Sequence, residues 1–335
     1  MYQRFFELSK LPFSMTADPD FLYFTPQHRE ALAGLTYAML ARKGFMVLTG
    51  DAGVGKTTLL TRVLEYSAGS RIEASVVLHP TLSTAEFLEM ILLKFGVADI
   101  PPSKTQRLAK LHQLLIDADR EGRICALAVD EAHKLSLELF EEIRLLGNLE
   151  RSGQKLMQIL LLGQDELADL LNRSDLRQLK QRIAVRYNID ALTDIQVDEY
   201  IRYRWQKAGG AQLPFAAETL PFIAQHSRGV PRVVNAICDN ALLLAFSYSS
   251  RTVQLDHVRE ACGDLDLRLA AVRQEPAAPP PPAAAPPAPA PPAPSSQPAP
   301  AAMETNGLPS LERYYRPSPN QSLFARWAGK LGLAQ

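Results

Sequence analysis

Residues 50–57 read GDAGVGKT, which matches the phosphate-binding loop pattern G-x-x-x-x-G-K-[ST] at every position. An apolar run at 45–48 comes just before this octapeptide and predicts a buried strand, and the segment TTLLTRVLEY that follows Lys56 predicts a helix. In a glycine-rich turn between a strand and a helix, the backbone amides and the positive end of the helix both point toward one place and can bind an anion there. This feature therefore restricts the chain to an α/β fold with a site for the phosphates of a nucleotide.

Nine consecutive residues are expected to surround those phosphates. They are Gly50, Asp51, Ala52, Gly53, Val54, Gly55, Lys56, Thr57 and Thr58. Within this set, Lys56 is expected to reach the β- and γ-phosphates, and the Thr57 hydroxyl to coordinate Mg²⁺. A glycine-rich turn that fits the pattern by chance is the alternative, but the strand before it and the helix after it disfavour that interpretation. We therefore expect the chain to bind a nucleoside triphosphate together with Mg²⁺.

Composition limits the class of protein. Of the 335 residues 47% are hydrophobic, which is enough for a sizeable core, and a net charge of zero argues against a globally basic nucleic-acid binder, although not against a local basic patch. Three cysteines lack the spacing of a metal site, so we expect reduced thiols in the core at Cys125, Cys238 and Cys262. The sequence has no signal-peptide pattern and no apolar run of the roughly 18 residues that a membrane span needs. These features predict a soluble, cytoplasmic protein.

Short apolar segments alternate with amphipathic ones over the first 193 residues, and this alternation predicts a parallel sheet with helices on both faces. Strands are expected near 45–49, 75–79, 124–129, 157–162 and 184–189. Helices are expected near 56–67, 84–95, 104–121, 136–151 and 165–171. From Asp194 to about Leu267 the pattern is helical throughout, with turns at 209–210 and 229–231, which predicts a small all-α lid domain.

The chain is expected to have four parts: a nucleotide-binding α/β domain at 1–193, a lid at 194–268, a linker at 269–302 and a tail at 303–335. Residues 276–302 are almost entirely Pro and Ala, a composition that favours extended polyproline II over a packed core. The tail ends in SLFARWAGKLGLAQ, where apolar residues at helical spacing accompany Arg326 and Lys330. Two interpretations of this end stay open: a docking helix for a partner or the inner membrane surface, and a frayed terminus.

A second buried strand, in ICALAVDEAH at 124–133, ends in two adjacent carboxylates. Asp130 is expected to hold Mg²⁺, usually through water, and Glu131 to polarise the attacking water as a general base. An ordinary solvated strand end is the alternative, and the phosphate loop upstream argues against it. DEAH also names a class of helicases, but the other helicase motifs are missing from the sequence. The spacing of loop and acids is typical of additional-strand ATPases, in which the acid-bearing strand is not adjacent to the loop strand.

Two single residues downstream are expected to sense the γ-phosphate. Gln164 follows the apolar segment LMQILLL and is expected to bond the γ-phosphate or the water, the role called sensor 1; a capping or turn residue is the alternative. The segment SRGVPRVVN places Arg232 in the first turn of a lid helix, where it is expected to close over the γ-phosphate as sensor 2. A plain helix start, with Pro231 at its favoured N-terminal position, is the alternative for Arg232.

A basic run lies around the start of the last predicted strand and contains Arg173, Arg177, Lys180, Arg182 and Arg186. An arginine from a neighbouring subunit can stabilise the charge of a transferring phosphoryl group. We expect Arg182 to be that arginine finger, with Arg186 as the second candidate. The other basic residues are expected to form a solvated face or a nucleic-acid contact.

The chain carries, in this order, the phosphate loop, the two acids, Gln164, the basic run and Arg232. This set resembles the motifs of the AAA+ ATPases, and more closely those of the ExeA/GspA secretion ATPases. The opening from YQRFFELSKLPFSM to GDAGVGKTTLL is similar to the start of that family, which MshM-type pilus ATPases and exosortase-associated ATPases share. The segments LLGQDELADLL, LRQLKQRIAVRYNIDAL and SRGVPRVVNAICDNALLLA continue the similarity to about residue 268. The resemblance implies ATP and Mg²⁺ as ligands. By position, it also implies the phosphate, metal, catalytic and sensing roles expected above for Lys56, Thr57, Asp130, Glu131, Gln164, Arg182 and Arg232.

The same resemblance implies that the segment DPDFLYFTPQHREAL helps to frame the adenine. For Tyr23, Phe24 and His28, a contact with the base and a place in the core both stay open. Where this chain has GQDEL at 163–167, family members commonly have G-Q-P-E-L, which alters the turn but keeps Gln164. ExeA itself continues into a transmembrane helix and a periplasmic peptidoglycan-binding domain, whereas this chain has a Pro/Ala spacer and a short tail. A direct role in threading secretin subunits through the cell wall is therefore not expected.

The resemblance implies an ATPase that forms a homo-oligomer, in the form of a ring, with its site completed between subunits. Its cycle would assist the assembly of a bacterial envelope export system (type II secretion, pilus or polysaccharide), in the cytoplasm or peripherally at the inner membrane. The alternative is a DNA-binding regulator resembling the TniB/TnsC transposition ATPases, with the basic run along DNA phosphates. Zero net charge and the lack of a helix-turn-helix or zinc motif count against it. A nucleotide-dependent scaffold with negligible turnover is a third hypothesis.

Overall fold

The computed structural model describes residues 2–16, 18–68, 71–78 and 81–267. The strands of this part of the chain are β1 (Phe45–Thr49), β2 (Ile72–Val77), β3 (Ile124–Val129), β4 (Glu150–Arg151), β5 (Gln154–Lys155), β6 (Met157–Leu162) and β7 (Ile183–Asn188). Its helices are α1 (Tyr2–Phe5), α2 (Pro26–Leu40), α3 (Lys56–Ala68), α4 (Thr84–Lys94), α5 (Lys104–Arg120), α6 (Leu137–Leu146), α7 (Asp165–Leu171), α8 (Arg177–Lys180), α9 (Asp194–Lys207), α10 (Thr219–Ser227), α11 (Pro231–Ser247) and α12 (Leu255–Asp264). Single 3₁₀ turns occur at Pro19–Phe21, Ala132–Lys134 and Ser174–Leu176.

Five strands form one parallel sheet in the order β2-β3-β6-β1-β7, while β4 and β5 pair in a small antiparallel hairpin. The acid-bearing β3 is separated from the loop-bearing β1 by β6, so the predicted additional-strand arrangement is confirmed. Leu48 pairs with Leu162, and Leu161 pairs with Val129. The carboxyl ends of these three strands therefore meet at one edge of the sheet. The phosphate loop, the two acids and Gln164 all begin at that edge.

Every residue of β1, β3 and β6 is buried, which a sheet achieves only when both of its faces are covered. The predicted fold class, a parallel sheet flanked by helices, is confirmed. A second hydrophobic cluster joins the four helices α9 to α12. The first residues of the chain pack into this cluster through Tyr2, Phe6 and Phe13 and not against the sheet. All these elements belong to one compact unit, Met1–Arg268.

Several predicted boundaries were wrong. The second strand is at Ile72–Val77 instead of 75–79, and the helix predicted over 136–151 ends at Leu146. Gly147 ends that helix in close contact with β1, since a Cβ at Gly147 would lie 2.2 Å from the Phe45 ring. The chain then forms the β4–β5 hairpin, whose turn places Ser152 and Gly153 at positive φ.

Helix α2 had no counterpart in the prediction, although its N-cap Thr25 and the following Pro26 are standard helix-start signals. The Pro/Ala linker and the tail predicted at 269–335 lie outside the described residues. Within the described residues, no helix has the length and apolar character needed to cross a membrane. Cys125, Cys238 and Cys262 are buried free thiols, as expected.

Candidate nucleotide-binding site

The loop between β1 and α3 has a backbone that requires glycine. Gly50, Gly53 and Gly55 have φ values of 145°, 86° and 107°, in the region that favours glycine. A Cβ at Gly50 would lie 2.3 Å from the carbonyl oxygen of Ile189, and one at Gly53 would lie 2.8 Å from the Cβ of Arg232. The loop is therefore held tightly on two sides, by the chain after β7 and by the start of α11.

Lys56 is the first residue of α3, and its side chain folds back over the loop. The ammonium group donates hydrogen bonds to the carbonyl oxygens of Gly50 at 2.7 Å and Asp51 at 2.8 Å. Burial lowers the pKa of Lys56, while the nearby carboxylates of Glu131 and Asp130 act in the opposite direction. The side chain thus places a cation, screened from solvent, at the end of the loop where phosphates are expected.

Asp130, directly after β3, meets the loop at Thr57. The Thr57 hydroxyl donates a 2.7 Å hydrogen bond to Oδ2 of Asp130, and the amide of Glu131 donates to Oδ1 at 2.9 Å. Among the described residues, no group of three or more His, Cys, Asp and Glu side chains is arranged to hold a metal. Mg²⁺ at a phosphate site usually has one or two protein oxygens and completes its shell with water and phosphate, so the Thr57–Asp130 pair fits this ion.

Glu131 borders the same cavity as the loop and has a left-handed backbone, with φ 53° and ψ 35°. Its carboxylate lies 3.2 Å from Nζ of Lys134 and 3.5 Å from Nε2 of His133. Burial raises the pKa of Glu131, but the hydrogen bond from Lys134 and the neighbouring positive charges outweigh it, so the pKa is below its usual value. Glu131 is therefore a carboxylate at neutral pH, as a proton acceptor must be.

Gln164 lies at the N-cap of α7, immediately after β6 and Gly163. Its amide N–H donates to Nδ1 of His133 at 3.3 Å, while its side chain makes no capping hydrogen bond. The strand order brings Gln164 between the loop and the acids, although it is not among the residues that line the cavity. His133 links it to Glu131, and no sequence pattern indicates this connection beyond the closeness of His133 and Glu131 in the chain.

A cavity of 390 Å³ extends from the phosphate loop. Residues 52–58 and Glu131 line it. It is also lined by the N-terminal segment, at Ser14, Met15, Thr16, Asp18, Phe21, Leu22 and Tyr23. Residues of the helical region, among them Leu192, Tyr200, Arg204 and Asn235, line it as well. A cavity of this size, with both polar and aromatic lining residues, suits a nucleotide.

Arg232 lies in the first turn of α11 and borders the cavity beside the loop. Its backbone N–H donates to the carbonyl oxygen of Gly53 at 3.3 Å, and its Cβ packs against Gly53. Its amide, and not only its side chain, therefore joins the helical region to the phosphate loop. The position agrees with the predicted approach to the phosphates, and the sensing role stays a prediction.

Sequence reasoning missed a buried polar network on the lid side of the cavity. Arg204 donates to the carbonyl oxygen of Pro12 at 2.5 Å and to the hydroxyl of Tyr200 at 2.8 Å, and its guanidinium lies 5.0 Å from the centroid of the Phe21 ring. The Tyr200 hydroxyl in turn donates to Asn235 at 2.8 Å. Only the i, i+4 spacing of Tyr200 and Arg204 was visible in the sequence. Tyr200 and Asn235 are 35 positions apart, and Arg204 and Pro12 are 192 positions apart.

Of the three residues considered for the adenine, Tyr23 and His28 border the cavity, and Phe24 does not. The Tyr23 hydroxyl donates to Glu199, which adds to the effect of burial and raises its pKa to about 12. His28 is 3% exposed, and its Nε2 would lie 3.6 Å from a Cβ placed on Gly55 of the phosphate loop. For both residues the contact with the adenine stays a prediction.

The first arginine-finger candidate, Arg182, is not near the loop of its own chain. Arg182 follows α8 and immediately precedes β7, whose first residue Ile183 pairs with Phe45 at the start of β1. The phosphate loop follows the opposite end of β1, so the five-residue strand separates Arg182 from it by roughly 17 Å at ~3.3 Å per residue. Arg186 is exposed on the middle of β7. Of the other basic residues, Arg173 pairs with Asp175 and Lys180 bonds Asn172.

The chain matches the family model described as an AAA domain over residues 39–171. General secretion pathway protein A of Aeromonas hydrophila is 39% identical over 257 residues, which cover 76% of this chain and 46% of that protein. This chain therefore spans about half the length of that relative. The ATP-dependent target DNA activator B of Escherichia phage Mu is 28% identical over 272 residues, which cover 80% of each chain.

Solved structures of similar fold include Cdc6p from Pyrobaculum aerophilum, with a TM-score of 0.61 and 17% identity over 76% of this chain and 70% of that one. The ORC2 protein of Aeropyrum pernix has a TM-score of 0.56 and 19% identity over 74% of this chain and 72% of that one. These similarities concern the fold.

Proposed function

Because the chain is an ExeA/GspA-like AAA+ protein, we propose that it binds and hydrolyses ATP in a site completed by a second copy of the chain. We propose further that this cycle assists the assembly of a bacterial envelope export system. The observation that carries the first part is the contact between Thr57 and Asp130, with the Glu131 carboxylate at the edge of the same cavity. A phosphate loop, a metal-binding pair and a proton acceptor are the minimum that hydrolysis needs.

In the proposed reaction, the loop amides and Lys56 hold the β- and γ-phosphates. Thr57 and Asp130 would hold Mg²⁺, which would supply positive charge to the phosphate oxygens. Glu131 orients a water molecule and accepts its proton as the water oxygen bonds to the γ-phosphorus. The bond from that phosphorus to the bridging oxygen breaks, and ADP and phosphate leave. Lys134 and His133, which hold the carboxylate, must release it for this step.

The proposed second copy supplies the arginine that this chain places far from its own loop. Arg182 is roughly 17 Å from its own phosphate loop, as the strand rise requires, so it can meet a phosphate only in a neighbouring subunit. The hydrogen bond from Arg144 lowers the pKa of Glu141 on α6, and the charge of Arg182 adds to that effect. Glu141 forms its salt bridge with Arg144, and no salt bridge among the described residues involves Arg182.

We expect Arg182→Ala to retain ATP binding and to lose at least about 100-fold in assembly-dependent hydrolysis, since arginine fingers contribute large factors to the rate. Mixing this variant with Glu131→Gln gives the sharpest test. An interface that joins the intact Glu131 of one chain to the intact Arg182 of the other should restore phosphate release from two inactive proteins. Arg173→Ala, whose guanidinium is paired with Asp175, serves as the control and should hydrolyse ATP normally. Full activity of Arg182→Ala in the assembled state would show that Arg182 is not the arginine finger.

The export part of the proposal is supported by the 39% identity to General secretion pathway protein A, within the half of that protein that the match covers. The phage DNA activator, similar over 80% of both chains, keeps a DNA-binding regulator as the second candidate. In such a regulator, exposed basic residues of the run, such as Arg177 and Arg186, would contact the DNA phosphates.

Binding of a fluorescent DNA duplex, measured by anisotropy with and without ATP, separates the two functions. A DNA regulator would bind in an ATP-dependent way and lose roughly 10³-fold in affinity between 50 and 200 mM salt, as several phosphate contacts require. For an export ATPase we expect weak binding that is independent of ATP. Tight, salt-sensitive and ATP-stimulated binding would contradict the export proposal and leave the ATPase site unaffected.

A further inference from the structure

A strap of the chain, residues 9–16 and 18–23, lines part of the nucleotide cavity. Its lining side chains include the apolar ones of Met15, Phe21 and Leu22. Apolar side chains are poor neighbours for the charges of phosphates, whereas a purine ring packs well against them. If the loop between β1 and α3 holds the phosphates, the strap is therefore the wall that meets the nucleoside.

Hydrogen bonds attach this strap to α9 of the helical region. Near its start, the carbonyl oxygen of Ala208, the C-cap of α9, accepts both the backbone N–H and the hydroxyl of Ser9 at 2.8 Å. Near its end, the Tyr23 hydroxyl donates to the Glu199 carboxylate. Neither of these two attachments is fully buried, so water competes with both.

Arg204 makes a buried attachment between these two. It is 7% exposed, borders the cavity, and donates through Nε to the carbonyl oxygen of Pro12 at 2.5 Å. Its Nη1 atom donates to the Tyr200 hydroxyl at 2.8 Å, and its guanidinium carbon lies 5.0 Å from the centroid of the Phe21 ring. A buried guanidinium is stable only where new partners replace its lost hydration, so these contacts hold Arg204 and the strap in one arrangement.

The same network connects the strap to the helix that meets the phosphate loop. The Tyr200 hydroxyl, which accepts from Arg204, donates to Oδ1 of Asn235 on α11 at 2.8 Å. In the first turn of that helix, the Arg232 N–H donates to the carbonyl oxygen of Gly53 at 3.3 Å. Through α9 and α11, these hydrogen bonds relate the position of the strap to that of the loop.

We propose that Arg204 is a positioning residue that holds the strap where it meets the nucleoside of a bound nucleotide. The inference rests on the nucleotide binding proposed above and extends it to a residue outside the loop. Without the guanidinium, the Pro12 carbonyl loses its buried donor and the strap is no longer fixed against the cavity. The nucleoside then loses contact area, while the loop and Lys56 still hold the phosphates.

The test compares Arg204→Met in the full chain with Arg202→Met, a matched control on the same helix, because Arg202 is exposed and pairs with Asp198. ATP, adenosine and inorganic tripolyphosphate each displace a fluorescent ATP analogue, and the displacement measures each affinity. We expect Arg204→Met to bind ATP and adenosine about tenfold more weakly, as the loss of one oriented hydrogen bond implies, and tripolyphosphate as the wild-type chain does. Arg202→Met should bind all three ligands like the wild-type chain.

Tyr200→Phe tests the same network if a melting curve shows that Arg204→Met is not folded. This substitution keeps the ring and removes only the hydroxyl that accepts from Arg204 and donates to Asn235. We expect a smaller loss of affinity in the same pattern: ATP and adenosine bind more weakly, and tripolyphosphate binds as before.

Three outcomes would overturn the inference: unchanged binding of ATP by folded Arg204→Met, an equal loss for tripolyphosphate, which would indicate a general structural role, or the same losses in Arg202→Met. These outcomes differ from failure of the proposed function. If the wild-type chain binds neither ATP nor tripolyphosphate, the function itself is wrong. If it binds ATP and Arg204→Met behaves like the wild type, the function stands and only the role of Arg204 is wrong.

Discussion

Lys56→Ala is expected to abolish nucleotide binding. The side chain is 6% exposed and brings the positive charge of the loop to the place where the β- and γ-phosphates are expected. Hydrogen bonds to charged groups contribute roughly 1.5–3 kcal/mol each, so the loss of an ammonium that meets two phosphates should weaken ATP binding by at least about 100-fold. Isothermal titration with ATP and with ADP measures the effect.

Lys110→Ala is the control for Lys56→Ala, because Lys110 is an exposed lysine on α5. It should leave binding unchanged. The Lys56 ammonium also bonds the Gly50 and Asp51 carbonyls, so a melting curve without nucleotide must show that Lys56→Ala is folded. Wild-type affinity in a folded Lys56→Ala protein would mean that the nucleotide is bound elsewhere.

Glu131→Gln is expected to separate binding from hydrolysis. The substitution keeps the shape of the side chain but removes the carboxylate that accepts the proton of water. We expect phosphate release to fall by roughly 10²- to 10⁴-fold, the usual contribution of a general base, while the affinity for ATP is retained. A steady-state phosphate assay at saturating ATP measures the first effect, and nucleotide displacement measures the second.

Glu138→Gln, at an exposed position in the first turn of α6, is the control for Glu131→Gln and should hydrolyse ATP at the wild-type rate. The comparison also decides the scaffold hypothesis. A scaffold with negligible turnover would show the same low phosphate release in the wild-type chain and in both variants.

The parts of this site that the sequence predicted correctly are those encoded by local pattern. Stretches of ten or so residues determine the loop glycines, the buried strands and the acids after β3, because strand burial and turn geometry are local properties. That β3 is not adjacent to β1 was also predicted, from the class of ATPases that the spacing of loop and acids matches. The identity of the strand between them was visible only in the structure: β6 brings Gln164 between the loop and the acids, where its backbone N–H donates to His133.

The rest of the site depends on contacts between distant parts of the chain. Nothing near Arg204 in the sequence indicates that it bonds Pro12, or that the first residues of the chain form a wall of the cavity. Helix α2 was missed although Thr25 and Pro26 mark its start, and with it the close approach of His28 to Gly55 of the loop. Such contacts arise from packing of the helical region onto the N-terminal segment, which has no periodic signal.

The identity of the nucleotide retained after incubation with ATP tests the central claim most directly. The wild-type chain and Glu131→Gln are incubated with ATP and Mg²⁺, separated from free nucleotide, denatured, and the extracted nucleotide is resolved by chromatography. We predict ADP, with phosphate released, from the wild-type chain and intact ATP from Glu131→Gln. Intact ATP from the wild-type chain, or ADP from both proteins at equal rates, would contradict hydrolysis through Glu131.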